Sequence, residues 1–378
     1  MLRRQAFKFE IMPNGEQIRR MNQFCGCSRF VFNHGLDWQN TQYAQDNSVT
    51  FSYTKIANLL PQWKKVFPWL EDCHSQVLQQ SLKDLDSAFK NFFKKRAGFP
   101  KFKKKGVKES IRFPQGCKLE QHNNRLYLPK IGWVRYRNSR NVVGEIKNVT
   151  VRKKCGRFYV SIQTEREVEI TKHQGGEIGI DMGIVRFATL SNGEYFEPLN
   201  AFKTYKGKLT KLQRQLKNKI KFSKNWHKLQ AKIAKLHYKI ANCRKDFLHK
   251  ISSIISKNHA MIYIEDLQVS NMSKSAKGTV EAPGKNVKQK SGLNRAILDQ
   301  SWFAFRCQLD YKSQWQGGVL VAVPPQNTSR TCPCCGYTDK ENRPTQAKFE
   351  CVECGYTENA DVVGAINILE RGRALVQS

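Results

Sequence analysis

Acidic residues are scarce in this chain. Asp and Glu number 31 against 65 Lys and Arg, giving a formal charge of +34 and a sequence pI near 9.8. A surface so one-sided repels itself and calls for a polyanionic partner. Long apolar runs are missing as well. With no stretch of about 18 apolar residues, the sequence predicts no membrane span. The first residues, "MLRRQAFKFEIMP", are charged and lack the apolar centre of a secretory signal. No long-period repeat occurs. What is present suits a globular protein: 378 residues, 40% of them hydrophobic and 11% aromatic, enough for two or three cored domains.

Twelve cysteines do not form a disulfide framework. Cys25, Cys27, Cys73, Cys117, Cys155, Cys243, Cys307 and Cys334 follow no pattern, and most are expected to be plain buried thiols. The other four follow one. "CPCCG" at 332–336 and "CVECG" at 351–355 are C-x-x-C-G knuckles, in which glycine lets the backbone turn and aim amides at sulfur. Cys332, Cys335, Cys351 and Cys354 predict a closed four-cysteine zinc site, structural rather than catalytic because no coordination position is open. Cys334 is a bystander. An iron centre of rubredoxin type is the alternative, disfavoured by the basic surroundings. Cysteine usage of this kind points to a reducing, intracellular setting; the expected location is the cytoplasm, with association to the nucleoid.

Phe7, Phe9 and Ile11 alternate with charges and predict a first strand ending at Pro13. Residues 15–96 read as helical, most clearly 74–95, where Leu78, Leu82, Leu85, Phe89 and Phe92 share a face. "FPKFKKKG" then interleaves lysines with aromatics, so Lys101, Lys103 and Lys104 are candidate nucleic-acid contacts; a solvated tether is the plainer reading. Residues 110–170 read as strands broken at "HNN" and "CG" turns. With the first strand they could close a small barrel around a helical insert. "TKHQGG" is a linker. Strands follow at 177–184, 186–192 and 194–198, then a lysine-rich helical hairpin at 203–256 seamed by Leu209, Leu212, Leu216, Leu229, Ile233, Leu236 and Ile240. A strand at 260–267, a polar mobile loop at 270–292, a helix at 293–315, a strand at 317–325 and a last helix at 360–372 complete the pass.

"EIGIDMGIVRF" at 177–187 places Asp181 among Ile178, Ile180, Met182 and Ile184. A carboxylate there without a partner would be costly. Glu265 ends "MIYIE", and Asp361 opens the last helix seven residues after Cys354. Taken singly, these are a turn acid, a strand-end acid and a helix-dipole acid, and Asn359 competes for the cap. Two acids at the ends of neighbouring strands and a third from a helix make an anionic cage. Such a cage could hold two magnesium ions about 3.5–4 Å apart and clamp a phosphodiester. Alternation alone leaves Glu265 and Asp266 in competition.

"GIDMGI", "YIEDLQVSNM", "LDQSWFAFRCQLDYKSQWQGG", "NTSRTCPCCG" and "CVECGYTENADVVGAINIL" together resemble the TnpB proteins encoded by bacterial insertion sequences. "EQIRRMNQFCGCSRFVFN", "GFPKFK" and "LHKISSII" extend the resemblance along essentially the whole chain. It implies a multidomain α+β and α/β fold. Residues 1–14 and 106–172 would form a wedge-like β-barrel, with 15–105 as an inserted helical recognition domain. Residues 173–378 would form an RNase H-like RuvC domain with a helical hairpin insertion and a zinc element at 328–358. It selects Glu265 over Asp266, so the implied catalytic and magnesium-binding acids are Asp181, Glu265 and Asp361. It further implies cleavage of double-stranded DNA beside a short motif, under a guide RNA from the transposon end. Two positions depart from the family pattern. Val363 stands where many relatives have asparagine, and Ala347, beside Lys348, stands where many have arginine.

Rival readings are an RNA-guided repressor, a DNA-rejoining transposase and an actin-like phosphotransferase. The first should have lost an acid, whereas all three are present. The second is disfavoured by the lysine-rich surface and the lack of a covalent tyrosine motif. The third, suggested by "IDMGI", has no use for +34 charge or a zinc knuckle.

Overall fold

The computed structural model describes residues 1–377, which fall into two compact units, Met1–Val168 and Glu169 onward. The first unit begins with β1 (Leu2–Met12), whose Phe7, Phe9 and Ile11 are buried in alternation. Asn14 then caps α1 (Gly15–Gln45). Its Oδ1 accepts from the Gln17 amide at 2.8 Å while the Gln17 side chain accepts from the Asn14 amide at 3.1 Å, a reciprocal box that fixes the helix start. The short α2 (Tyr53–Ala57) and α3 (Leu60–Val66) lead to α4 (Ser75–Phe93), which buries Val77, Leu78, Leu82, Leu85 and Phe89 along one face.

Six further strands follow: β2 (Ser110–Phe113), β3 (Lys118–Glu120), β4 (Arg125–Leu128), β5 (Gly132–Tyr136), β6 (Glu145–Lys154) and β7 (Arg157–Glu167). They pair antiparallel in the order β2-β6-β7-β1-β5-β4-β3. The first strand of the chain is therefore central, registered on β7 from Leu2↔Glu167 to Ile11↔Phe158. The "CG" turn lies between β6 and β7, with φ of 52° at Cys155 and 80° at Gly156, the pair of left-handed residues a tight hairpin requires. Among the described residues no pairing joins β2 to β3, so the sheet is not a closed barrel by hydrogen bonding.

In the second unit β8 (Gly176–Asp181), β9 (Ala188–Leu190) and β10 (Tyr195–Phe196) form a meander. After α5 (Ala201–Lys217) and α6 (Lys224–Asn258), β11 (His259–Glu265) enters parallel to β8. The chain continues through α7 (Val269–Met272), α8 (Val287–Gln300), α9 (Trp302–Trp315) and β12 (Val319–Val323), which is parallel to β11. The sheet order is β10-β9-β8-β11-β12. A ribbon of β13 (Lys348–Glu350) and β14 (Thr357–Asn359) then leads into α10 (Ala360–Gln377).

Strand alternation divides this sheet into two faces. Ile178, Ile180, Ile262 and Ile264 pack with Leu248, Ile251, Phe305 and Leu309 of α6 and α9. Tyr263 of the opposite face packs with Ile368 of α10. That helix lies unusually close to the strands. A Cβ on Gly179 would come within 2.1 Å of the Ala365 carbonyl oxygen, and one on Gly372 within 2.0 Å of the Tyr263 ring. Gly179 of "GIDMGI" and Gly372 of α10 thus permit a contact that any side chain would hold open.

Three expectations are corrected. The strand expected over 177–184 ends at Asp181, so this acid closes the strand rather than lying within it. The helix expected over 293–315 is two helices, broken at Ser301, whose φ of 59° cannot continue an α-helix. The loop expected over 270–292 contains the end of α7, an isolated Gly278↔Pro283 bridge and the start of α8.

Candidate active site and metal centre

Asp181 and Glu265 end β8 and β11, strands paired through Ile180↔Ile264. One step further in that register, both carboxylates emerge at the carboxyl ends of parallel strands. This is where open α/β sheets form their functional crevices. They share the α10 face with Gly179 and Tyr263, and α10 supplies Asp361 from its first turn. Gly364, one turn on, brings the helix against Asp181: a Cβ there would lie 3.2 Å from Asp181 Oδ2.

The electrostatics are unfavourable without a cation. Burial pushes the Asp181 carboxyl up to about 8, and the like charges of Glu265 and then Asp361 push in the same direction against Arg343. Glu265 is only 8% exposed, and its carboxyl is also raised by burial. The Thr328 hydroxyl donates to Glu265 Oε1 at 2.6 Å. Asp266, its sequence competitor, is instead paired with Arg306. Asn359 Oδ1 accepts from the Asp361 amide at 3.0 Å, and Arg343 Nη2 lies 3.7 Å from Asp361 Oδ1. The loop bearing Thr328 is itself tied to α10. Asn367 donates to the Thr328 and Thr331 carbonyls, and Arg371 to those of Pro324 and Gln326.

The four knuckle cysteines converge. Their sulfurs all lie within 4.8 Å of one another, with Cys332–Cys354 and Cys335–Cys351 at 3.6 Å. The two knuckles repeat one pattern: Gly336 and Gly355 donate to the Cys332 and Cys351 carbonyls, while the Cys332 and Cys351 amides donate to Tyr337 and Tyr356. Burial opposes ionisation of Cys351, but amides at Glu353 and Cys354 draw its thiol pKa downward, favouring thiolate. Cys334 is exposed and outside the quartet. Of the scattered cysteines, only Cys25, Cys27 and Cys73 are buried. Cys117, Cys155 and Cys243 are half-buried and Cys307 is exposed, so the expectation that most are buried thiols is corrected.

The lysines of "FPKFKKKG" are not equivalent. Lys101 and Lys104 are exposed. Lys103 turns inward: its Nζ lies 3.9 Å from the Phe32 ring centroid and 3.8 Å from Asp84 Oδ2, and burial lowers its pKa. Asn33 of α1 grips the Lys103 backbone at both amide and carbonyl, at 2.7 and 3.0 Å.

Sequence reasoning missed Thr328, Arg343, Asn342 and Gly364. Asn342 is fully buried and bridges the knuckles, donating to the Arg330 and Tyr337 carbonyls and accepting from the Val352 amide. A polar residue between two metal-ligand pairs was the available signal. Nothing local marks Thr328, whose partner is 63 residues away.

Comparison with known proteins bears on the whole chain. The family model described as "Probable transposase" matches residues 159–276, one described as "Cas12f1-like, TNB domain" matches 302–368, and one described as "Helix-turn-helix domain" matches 1–48. The last range holds β1 and a single unbroken helix here. The protein named "Putative RNA-guided DNA endonuclease InsQ" of Escherichia coli K12 is 55% identical, over 100% of this chain and 94% of its own length. A "Putative RNA-guided DNA endonuclease" of Streptomyces pristinaespiralis is 32% identical, over 98% and 90%. Among solved structures, a chain in the cryo-EM structure of the Cas12f1-sgRNA-target DNA complex superposes with a TM-score of 0.58 at 15% identity, over 93% of this chain and 82% of that one, a likeness of fold. With an InsQ-like sequence from end to end, the chain belongs to the TnpB family.

Proposed function

We propose that the chain is a transposon-encoded, RNA-guided DNA endonuclease that hydrolyses phosphodiesters at Asp181, Glu265 and Asp361. The observation that carries this reading is the pairing of two carboxylates at the ends of parallel strands with a third from the first turn of α10, Asp181 being raised to about 8, in a chain of net charge +34. Such a cluster is a poor structural element and a good hard-cation site, since its donors are all carboxylate oxygens. Asp181, Glu265 and Asp361 would hold magnesium, which when bound stabilises the charge developing on the phosphodiester. Thr328 fixes the Glu265 rotamer, and Asn359 and Arg343 fix Asp361. The α10 contact through Gly364 sets the third acid against the first.

The thiol quartet fits zinc. Zn–S bonds of about 2.3 Å give tetrahedral S–S edges of about 3.8 Å, close to the 3.6 Å found here. We assign Cys332, Cys335, Cys351 and Cys354 as its ligands. We further assign the open sheet of β1 to β7 as the wedge-like domain with α1 to α4 as its recognition insert, and residues 173–378 as a RuvC-like nuclease domain. The partners are a guide RNA from the transposon end and double-stranded DNA bearing a short adjacent motif, met in the cytoplasm at the nucleoid. Base pairing reads the target, and the protein grips backbones. Lys101 and Lys104 would contact phosphate, with Lys103 anchoring their segment.

Cleavage of target DNA by the purified protein with its co-purifying RNA tests this reading. Asp181→Ala should abolish cutting and leave RNA binding intact; wild-type cutting by that variant rejects the site. A product in which DNA ends are joined favours a transposase, and target binding without cutting by the wild type favours a repressor. Replacing Lys101 and Lys104 by Gln should reduce the slope of log affinity against log salt by about one per lost phosphate contact. An unchanged slope would leave them a solvated tether.

A further inference from the structure

The tip of the α5–α6 hairpin is built against the usual rules for a solvent-exposed turn. Residues 198–245 contain thirteen lysines, two arginines and no Asp or Glu. Along the hairpin, Leu209, Leu236 and Ile240 form a buried seam. That seam explains the leucines and nothing at the tip. There Ile220 is 83% exposed and Phe222 67% exposed. Phe222 also has φ of +68°, a left-handed conformation that is a genuine outlier for a bulky aromatic. Glycine or asparagine would take that backbone at lower cost. The ring gains little cover in return, being tilted against Trp226 at 5.4 Å, with Trp226 itself edge-on to His227 at 5.1 Å. Ser223 locks the turn by capping α6, accepting from the Trp226 amide at 3.2 Å. Lys221 Nζ lies 5.2 Å from the Phe222 ring centroid. Lys219, Lys224 and Lys228 flank it in sequence. An exposed ring held in strain amid cations with no local acid is an arrangement whose explanation lies in a ligand.

We propose that this tip is an RNA-binding site, at which Phe222, supported by Trp226, stacks on an unpaired base while the flanking lysines engage the adjoining phosphates. Unstacked bases are what a ring can cover, and RNA loops and ends present them; a closed duplex hides them. The lysine excess supplies the charge complementarity that a protein partner would not require. The inference rests on the nucleic-acid reading above and deepens it.

The test uses the full chain and a short single-stranded RNA containing 2-aminopurine, beside single-stranded DNA of the same sequence and a closed DNA duplex. Wild type should quench the 2-aminopurine signal. Phe222→Gly should lose the quench and about tenfold in RNA affinity, with an unchanged salt slope and a thermal midpoint equal to or above wild type, because backbone strain is relieved. Phe222→Trp should restore stacking, and joint Lys219→Gln and Lys221→Gln should lower the salt slope. RNA affinity of Phe222→Gly within twofold of wild type overturns the proposal. So does an equal loss on single-stranded DNA, or a larger one on the duplex, or a self-association in sedimentation that Phe222→Gly removes while RNA binding stays. Cleavage lost in Asp181→Ala alongside any of these would leave the nuclease reading standing without the tip site.

Discussion

The thiol quartet and the carboxylate cluster are joined by a short segment, Cys354 to Asp361, yet they are held in opposite ways. The quartet is local. Its ligands lie within 332–354, its turns are made by backbone amides, and Asn342 bridges the two knuckles. The carboxylates are drawn from β8, β11 and α10, with Glu265 buried and Asp181 and Asp361 half-buried, and are set against one another. The first arrangement is content to fold around its sulfurs. The second is held together by the rest of the unit against its own repulsion, which is the condition expected of a site kept for chemistry.

The largest way to break this comparison is to remove the local site and watch the distant one. Cys351→Ser with Cys354→Ser should abolish zinc content, because binding energy there is folding energy. The segment leading into α10 would then lose its anchor. A displacement of Asp361 on the order of 1 Å should lower single-turnover cleavage roughly a hundredfold, while RNA binding persists. A zinc-free double mutant cutting at near the wild-type rate would mean that α10, through its glycine contacts, positions Asp361 alone.

That coupling also separates what was legible in the sequence from what was not. The knuckles were legible because their ligands are near neighbours and their spacing is set by backbone geometry. The acids were legible as candidates, but Glu265 and Asp266 differ by one residue, and only the sheet face separates them. Glu265 shares the α10 side with Tyr263, and Asp266 leaves it to pair with Arg306. The end of β8 at Asp181 was misjudged because Met182 and Ile184 continue the apolar pattern past the last ladder bond. Lys103 looked like its neighbours in sequence. What turns it inward is Phe32, Asn33 and Asp84, contributed by two helices. Thr328 and Arg343 act across the fold, and no local pattern encodes such partners.

A second test asks whether the carboxylates are frustrated as described. The folded pKa of Asp181 is near 8, above the ordinary 3.8. The fold therefore favours the protonated form. Its contribution is fully present below about pH 3.8 and is lost as the pH climbs toward 8. In magnesium-free buffer, Asp181→Asn should remove that loss and raise stability at pH 8 by several kcal/mol, with little change at pH 4. Denaturant unfolding at the two pH values measures it. Equal effects at both would show that burial and the like charges of Glu265 and Asp361 do not penalise the Asp181 carboxylate as described.

The smallest effect is the sharpest discriminator, because it uses two glycines with opposite problems. Gly364 has an ordinary helical backbone and no spare room: an added Cβ would sit 3.2 Å from Asp181 Oδ2 and 3.4 Å from its Cγ. Gly336 has room, with nothing within 4 Å, but a φ of +77° that strains any side chain. Gly364→Ala should move the Asp181 carboxylate by a few tenths of an ångström and leave the knuckles untouched. A fivefold to tenfold fall in cleavage, about 1 kcal/mol in the barrier, is expected with full zinc content. Gly336→Ala should do the reverse, weakening zinc retention against a chelator while the metal-loaded protein cuts normally. The pair works because each substitution adds the same methyl group, one to a packed contact and one to a bent backbone. If Gly364→Ala cuts normally, the carboxylates have more freedom than their burial implies. If Gly336→Ala cuts poorly when fully loaded with zinc, the knuckle acts on the acids through more than the anchoring of α10.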